Sequence, residues 1–170
     1  MSKKKFFIEV LLYLKDGKLL MILISGSDQR SEKKEKIRQY REEIDDYRDW
    51  QATQATYKIL GNVKRLLKYK IHEINLSKCY LKKIILVDLN LSKSNFEESK
   101  LTHANFRDSI LKECNFKYTK ANNCTFIGAD LEKSTFKGAN VSRANFAGCN
   151  LNSSDISGAN LTNAILIKTH

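Results

Sequence analysis

The sequence holds few residues whose types and spacing could form a reactive or metal-binding site. Its four cysteines are Cys79, Cys114, Cys124 and Cys149. Pairs of cysteines that bind zinc or form short-range disulfides typically have two to four residues between them, and no two of these cysteines are spaced in this way. Each occupies the small-residue position of a pattern described below, so we expect four buried free thiols that pack as small hydrophobes. Free thiols suit a reducing compartment, and we therefore expect a cytoplasmic protein.

Histidines and carboxylates give no catalytic constellation either. His72, His103 and His170 lie far apart in the sequence, and the chain has no glycine-rich phosphate loop. Asp130 and Asp155 occupy a repeat position where Asn is used equally, which indicates turn capping rather than acid catalysis. We predict a non-enzymatic protein with no catalytic residues, no cofactor and no metal site.

The charge balance raises a different class of function. The formal net charge is +11 and the pI is about 9.5. Such an excess is typical of proteins that bind nucleic acid or an anionic membrane. The excess is larger in residues 1–70 than in residues 71–170. The chain has no proline, which suits a β-ladder that needs every backbone N–H.

Two interlocked ladders organise the second half of the chain. From Leu76 to Leu166 every fifth residue is apolar, and from Ser94 to Ala164 the residue two positions earlier is always Ser, Ala, Cys or Thr. A period of five fits neither a helix at 3.6 nor a strand at 2. It indicates a repeat in which each unit forms one side of a larger coil.

The repeat units themselves carry a family resemblance. Written in fives, the chain reads A-D-L-E-K, S-T-F-K-G, A-N-V-S-R, A-N-F-A-G, C-N-L-N-S. This resembles the pentapeptide-repeat family, whose unit is A-(D/N)-L-x-x, over about residues 74–168. The resemblance implies a β-solenoid: a right-handed quadrilateral β-helix of about 4–5 coils with five residues per side and both ladders inside. The first coil departs from the pattern at Tyr80, Ile85 and Val87.

Residues twenty apart must then stack in columns. Phe96, Phe116 and Phe136 share one column, and a second column of phenylalanines lies opposite it. The two phenylalanine columns alternate with two aliphatic columns around each coil. Ala121 is small for its column. We expect a local cavity or an irregular turn there.

Residues 1–26 form an apolar segment with charges at its middle. A β-hairpin around Asp16-Gly17 is favoured, because this dipeptide supplies the positive φ of a tight turn. Lys3, Lys4 and Lys5 before the apolar run leave a signal or membrane anchor as one alternative and an amphipathic surface helix as another. Neither apolar run reaches the length of about 20 residues that a spanning helix needs.

Residues 27–73 form a charged helical region and the N-terminal cap of the repeat. We expect one helix from Ser27 or Asp28 to about Leu60, ended by Gly61-Asn62, and a second over residues 63–73 that caps the first coil. The stretch Y-R-D-W-Q-A ahead of the repeat is similar to a short helical leader of some family members. An aromatic stripe on the first helix packs on the rest of the chain or binds a partner as a coiled coil. The aromatic stripe comprises Ile37, Tyr40, Ile44, Tyr47, Trp50 and Tyr57.

Two outer sides of residues 74–170, the predicted repeat domain, are candidate binding surfaces. One side is basic and has no carboxylates. It either binds an anionic partner or is simply a solvated face. The basic side carries Lys82, Lys83, Lys100, His103, Lys120 and Arg143. The next side has an apolar column that contacts either the N-terminal segment or an outside partner. The apolar column comprises Val87, Ile127, Ala147 and Ile167, interrupted by Arg107.

These features favour a non-enzymatic scaffold that mediates protein–protein interaction in the cytoplasm. The alternative is a protein that binds an anionic membrane or nucleic acid through the basic side. Some family members resemble DNA and protect DNA gyrase from quinolones, but that mimicry needs an acidic surface, so it is less favoured here. The strand edges of a C-terminal coil also allow a homodimer.

Overall fold

The computed structural model describes residues 9–15, 18–24 and 26–169, with side chains from residue 29 onward. The chain divides into two compact units, Met1–Gln39 and Tyr40–His170. The lysines at positions 3–5, the Asp16-Gly17 turn and His170 lie outside the described residues.

The first unit contains a two-stranded antiparallel sheet. Strands β1 (Glu9–Lys15) and β2 (Lys18–Ile24) pair in a register that runs from Glu9↔Ile24 to Lys15↔Lys18. This is the pairing that a hairpin requires.

Two helices follow, with boundaries that differ from those expected. Helix α1 spans Gly26–Asp46 and helix α2 spans Thr53–Lys68. The expectation of one helix to about Leu60 and another over residues 63–73 is therefore wrong. Gly61 lies inside α2, and Asn62, instead of ending a helix, is buried and accepts a hydrogen bond from Arg65 at 2.7 Å.

The connection between the helices is held by the first coil of the repeat. Arg48 forms an antiparallel bridge with Cys79, and the Asp49 N–H donates to the Lys78 carbonyl at 3.3 Å. Asp49 has a φ of 62°, which no helix accommodates. The stretch Y-R-D-W-Q-A is thus a non-helical link, contrary to the helical leader expected from family resemblance.

Helix α2 packs one face inward. Ala55, Ile59, Val63 and Leu66, spaced three and four residues apart, are all fully buried. Thr56 donates its hydroxyl to the Tyr80 carbonyl at 2.8 Å, so α2 contacts the first coil directly.

The repeat region is a stack of coils joined by short parallel bridges. Bridges link every fifth residue to the one twenty positions later, beginning with Asn75↔Asn95 and Tyr80↔Lys100. Successive bridges lie five residues apart, so each coil has four sides. Backbone hydrogen bonds such as that from Leu86 N–H to the Asn105 carbonyl, at 2.8 Å, join neighbouring coils.

Phenylalanines fill the axis of the coils in the predicted columns. Phe96, Phe116 and Phe136 stack with ring centroids 4.8 and 4.7 Å apart, and rings of the opposite column meet them edge to face, as Phe96 and Phe106 do at 5.5 Å. This confirms the predicted stacking. At Ala121 the coil keeps its regular bond to the Asn140 carbonyl at 2.8 Å, so the turn is not irregular; the cavity stays a prediction.

The small-residue ladder is buried and bonded to the preceding coil. The thiols of Cys114 and Cys124 and the hydroxyl of Ser109 donate to carbonyls 23 residues earlier. All four cysteines are free and buried, which confirms that expectation. Burial in apolar surroundings raises the pKa of Cys114 and Cys124 to about 12 each, so these thiols are protonated near neutral pH.

Where a unit has Asn or Asp before its large ladder residue, that side chain closes the corner that follows. The Asn95 and Asp155 side chains accept the N–H of the residue two positions later, at 3.0 and 2.9 Å. The Asp130 side chain does the same for Glu132 at 3.3 Å. These bonds confirm turn capping by Asp130 and Asp155 and explain why the repeat alternates Asn with Asp at this position.

Candidate interaction surfaces

One side of the coils pairs its charges from coil to coil. Lys112 lies 2.8 Å from a Glu132 carboxylate oxygen and 3.0 Å from one of Asp130, and Lys93 lies 3.8 Å from Glu113. Both carboxylates lower the free energy of the charged lysine and raise the pKa of Lys112. This side neutralises itself and has little free charge for a ligand.

The basic side, which runs over ladder residues such as Leu101 and Val141, has a different charge pattern. Lys100 and Lys120 are bridge partners in adjacent coils, so their backbones lie about 4.8 Å apart. Within the described part of the chain, no carboxylate pairs with either lysine or with another member of the basic side. Like charges directly opposite each other on paired strands are destabilising.

The remaining members of the basic side form a second column. The Lys83 N–H bonds to the Thr102 carbonyl and the His103 N–H to the Asn122 carbonyl, which places Lys83 above His103; Arg143 follows in the same column. Lys82 lies beside this column in the first coil. All four of these side chains are exposed, whereas Lys100 is half-buried.

The apolar column is less exposed than its sequence pattern indicates. Val87, Ile127 and Ala147 are half-buried, and Ile167 is 63% exposed. The most exposed aliphatic side chain of the first coil is instead Ile85, at 62%. The sequence signal for it was present, because Ile85 stands where the repeat has Asn or Asp.

The aromatic stripe is not a single surface. Ile44 is buried, while Tyr47 and Trp50 lie in the link between the helices, with stacked rings 5.4 Å apart. Tyr40 is half-buried and has the Arg65 guanidinium above its ring, and Tyr57 lies on α2 with 70% of its surface exposed. Ile37 is half-buried in the first unit. The prediction that these six residues form one partner helix is therefore wrong.

The structure brings together residues from two separate predictions. Tyr57 of the aromatic stripe and Lys82 and Lys83 of the basic side line one groove between α2 and the first coil. Among the described residues, no helix combines the length and apolar character needed to cross a bilayer.

Comparison with known proteins agrees with the repeat geometry. The family model of pentapeptide repeats matches residues 74–112, 109–146 and 129–167, in 8 copies. The search of curated proteins finds no match.

Several solved structures are similar to part of this chain. HetL, a pentapeptide repeat protein involved in heterocyst differentiation regulation from the cyanobacterium Nostoc sp. strain PCC 7120, is 24% identical with a TM-score of 0.47, over 59% of this chain and 50% of that one. A pentapeptide repeat protein from the cyanobacterium Cyanothece 51142 is 28% identical with a TM-score of 0.36, over 52% and 64%. QnrB1, a plasmid-mediated fluoroquinolone resistance protein, is 18% identical with a TM-score of 0.35, over 54% and 62%.

The present chain spans less than two thirds of each of these proteins. The family assignment rests on the repeat model, which matches more than half of the chain. The chain belongs to the pentapeptide-repeat family, whose members form right-handed quadrilateral β-helices.

Proposed function

We propose that this protein is a non-enzymatic scaffold that binds another protein through the basic side and the adjoining apolar column. The observation that carries the proposal is the contrast between different sides of the same coils. Lys112 is neutralised by Asp130 and Glu132, whereas Lys100 and Lys120 are neighbours without a carboxylate partner among the described residues. Binding of an anionic partner lowers the electrostatic free energy of a side on which like charges are adjacent.

The inner residues support a passive core. The large ladder side chains stack on one another inside the coils, and the buried Cys114 and Cys124 thiols donate hydrogen bonds to backbone carbonyls. In this proposal residues 27–73 contain the N-terminal cap of the coils, and residues 74–170 present the binding sides. The protein acts in the cytoplasm, with membrane association as the alternative. A gyrase-protecting DNA mimic is disfavoured because mimicry of DNA needs an acidic surface.

Charge reversal on the basic side should weaken partner binding. We expect affinity capture with the Lys82→Glu, Lys100→Glu, Lys120→Glu variant to recover the partner at least about tenfold less well than wild type, because two like charges then meet across the interface. The matched control reverses three lysines of another side, Lys78→Glu, Lys117→Glu and Lys137→Glu. Capture should use cells that express this protein, with quantitative mass spectrometry as the readout.

The same two variants separate the alternative partners. Salt-sensitive sedimentation with phosphatidylserine vesicles, or retention on DNA, that disappears only in the basic-side variant would assign the anionic-surface function instead. Equal capture by wild type, variant and control would exclude the basic side as the binding surface.

We also propose that a second copy packs on the last coil. Ile156 and Leu166 are 44% and 45% exposed, whereas their counterparts one coil earlier, Phe136 and Phe146, are 1% and 2% exposed. Sedimentation equilibrium should show a dimer that Ile156→Glu with Leu166→Glu converts to monomer, while Ile110→Glu on an outer side leaves the dimer intact. Wild type that stays monomeric up to high concentration would refute this proposal.

A further inference from the structure

The N-terminal edge of the first coil is covered unevenly. Inside the stack, every coil donates to and accepts from both neighbours, but no coil precedes the first one in the described chain. Other elements replace part of the missing bonds. The Arg48 guanidinium donates to the Ser77 carbonyl at 2.5 Å, the Thr56 hydroxyl donates to the Tyr80 carbonyl at 2.8 Å, and His72 Nδ1 lies 3.0 Å from the Asn90 carbonyl.

A gap in this cover lies around Ile85. One coil later, the Asn105 N–H donates to the Ile84 carbonyl, and the Asn105 and Arg107 carbonyls accept from Leu86 and Asp88. The equivalent groups of the first coil are the Ile85 N–H and the carbonyls of Ile85 and Val87. Within the described part of the chain none of these three groups has a hydrogen-bond partner.

The unpaired edge forms one wall of a groove against α2. The groove has a volume of about 320 Å³, and its other wall includes Thr53, Tyr57 and Leu60. Its first-coil wall includes Lys82 and Lys83, which are exposed and have no ion pair among the described residues. None of the described residues that line the groove carries a carboxylate.

We propose that this groove binds an extended, acidic peptide segment of a partner protein, which joins the first coil as a parallel strand at Ile85. This inference rests on the proposed protein-binding function and specifies the chemistry of the partner. Alternating apolar side chains of the segment contact Ile84 and Leu60, and its carboxylates face Lys82 and Lys83.

The backbone pattern selects a peptide over the other anionic partners. Two of the free groups at the edge are carbonyls, which need N–H donors two residues apart. Neither a phospholipid headgroup nor a nucleic-acid backbone presents such donors at strand spacing, whereas each residue of an extended peptide does. The strand direction is parallel because the vacant groups are those that a preceding parallel coil would use.

The probe is a blocked ten-residue peptide of alternating glutamate and valine, with fluorescence anisotropy as the readout. Its valines take the positions of inward ladder residues, so the valine amides face the edge. Methylating the valine nitrogens should weaken binding at least about tenfold, since each methyl group removes a donor, whereas methylating the glutamate nitrogens should change it little. Amide hydrogen exchange at Ile85 should slow when the unmodified peptide binds.

Two protein variants give independent readouts. Ile85→Pro removes an N–H that makes no bond within the described stack, and Lys82→Glu with Lys83→Glu reverses the charge of the groove; each should weaken peptide binding about tenfold. Lys117→Glu with Lys137→Glu is the charge control and should bind normally. Far-UV circular dichroism and thermal melting show whether Ile85→Pro keeps the fold, and the methylated peptides test the pairing even if it does not.

The outcomes distinguish this inference from the proposed function. Equal binding of both methylated peptides, or no binding of the unmodified peptide at low salt, would overturn strand addition. So would vesicles or DNA that bind at Lys82 and Lys83 while the peptide does not. If charge reversal at Lys100 and Lys120 abolished capture of the native partner but Ile85→Pro did not, this inference would be wrong. The proposed protein-binding function would still hold.

Discussion

Replacing Phe116 with alanine is expected to lower the free energy of unfolding by about 3–5 kcal/mol. The Phe116 ring is fully buried and stacks between Phe96 and Phe136 at 4.8 and 4.7 Å. It also meets Phe106 and Phe126 edge to face at 5.9 and 5.8 Å. Truncation removes contacts in both directions along the axis, and regular coils on either side cannot close the void. Urea unfolding followed by far-UV circular dichroism measures the loss.

A matched control is available two residues away. Tyr118 lies in the same coil with its side chain 55% exposed, and Tyr118→Ala should cost less than about 1 kcal/mol. Phe116→Leu should fall between the two, because leucine fills the aliphatic columns of the same coils. If Phe116→Ala cost no more than Tyr118→Ala, the aromatic columns would not be what holds the coils together.

The sequence was sufficient to predict the coils because their information is local and repeated. Each unit places one large and one small residue inward, and in many units an Asn or Asp between them closes the corner, as Asn95 does by accepting the Glu97 N–H. Because four units of five residues make one coil, residues twenty positions apart stack on each other. The columns of phenylalanine and the composition of the basic side therefore follow from the order of the residues alone.

The helix boundaries could not be predicted because long-range contacts set them. The link at residues 47–52 is non-helical where Arg48 pairs with Cys79, a residue far along the chain. Gly61 and Asn62 look like a helix end in the sequence, but α2 continues through them because Val63 and Leu66 bury the same face as Ile59. Tertiary packing outweighs the cost of about 1 kcal/mol for glycine in a helix.

The groove at Ile85 shows a second limit of sequence reasoning. The departure of Ile85 from the repeat pattern was visible in the sequence, but its consequence depends on which groups cover the first coil. Thr56 reaches the Tyr80 carbonyl and His72 reaches the Asn90 carbonyl, so the uncovered stretch lies between them. Only the placement of α2 and of the residues before Ile74 defines that gap.

Deleting one whole coil should destabilise the protein less than deleting one side of a coil. Removal of residues 107–126 joins Phe106 to Ile127, and every later residue moves to the same side of the preceding coil. Phe96 then stacks on Phe136, and aliphatic residues stack on aliphatic residues. We expect a loss of about 1–3 kcal/mol, in line with the usual stability of about 0.05–0.15 kcal/mol per residue for the twenty removed.

Removal of residues 107–111 deletes a quarter as many residues but moves every later residue to a neighbouring side. At the junction Phe96 then lies over Ala121, which leaves a void, and Leu101 lies over Phe126, which crowds the axis. A void of this size costs about 3–5 kcal/mol and overpacking about 1–3 kcal/mol more. The shorter deletion should therefore lose about 4–8 kcal/mol, enough to unfold a marginally stable domain.

Urea unfolding of both deletion variants beside wild type gives the comparison. The variant lacking residues 107–126 should keep a cooperative transition and a native far-UV spectrum, and the variant lacking residues 107–111 should unfold at lower urea or without cooperativity. The larger deletion also removes Ala121, the smallest residue of its column. This loss should also favour the stability of the larger deletion variant. Both variants preserve the alternation of inward and outward residues, so the difference between them isolates the matching of columns. If the five-residue deletion were the more stable variant, coil stability would depend on the number of sides rather than on which side chains stack.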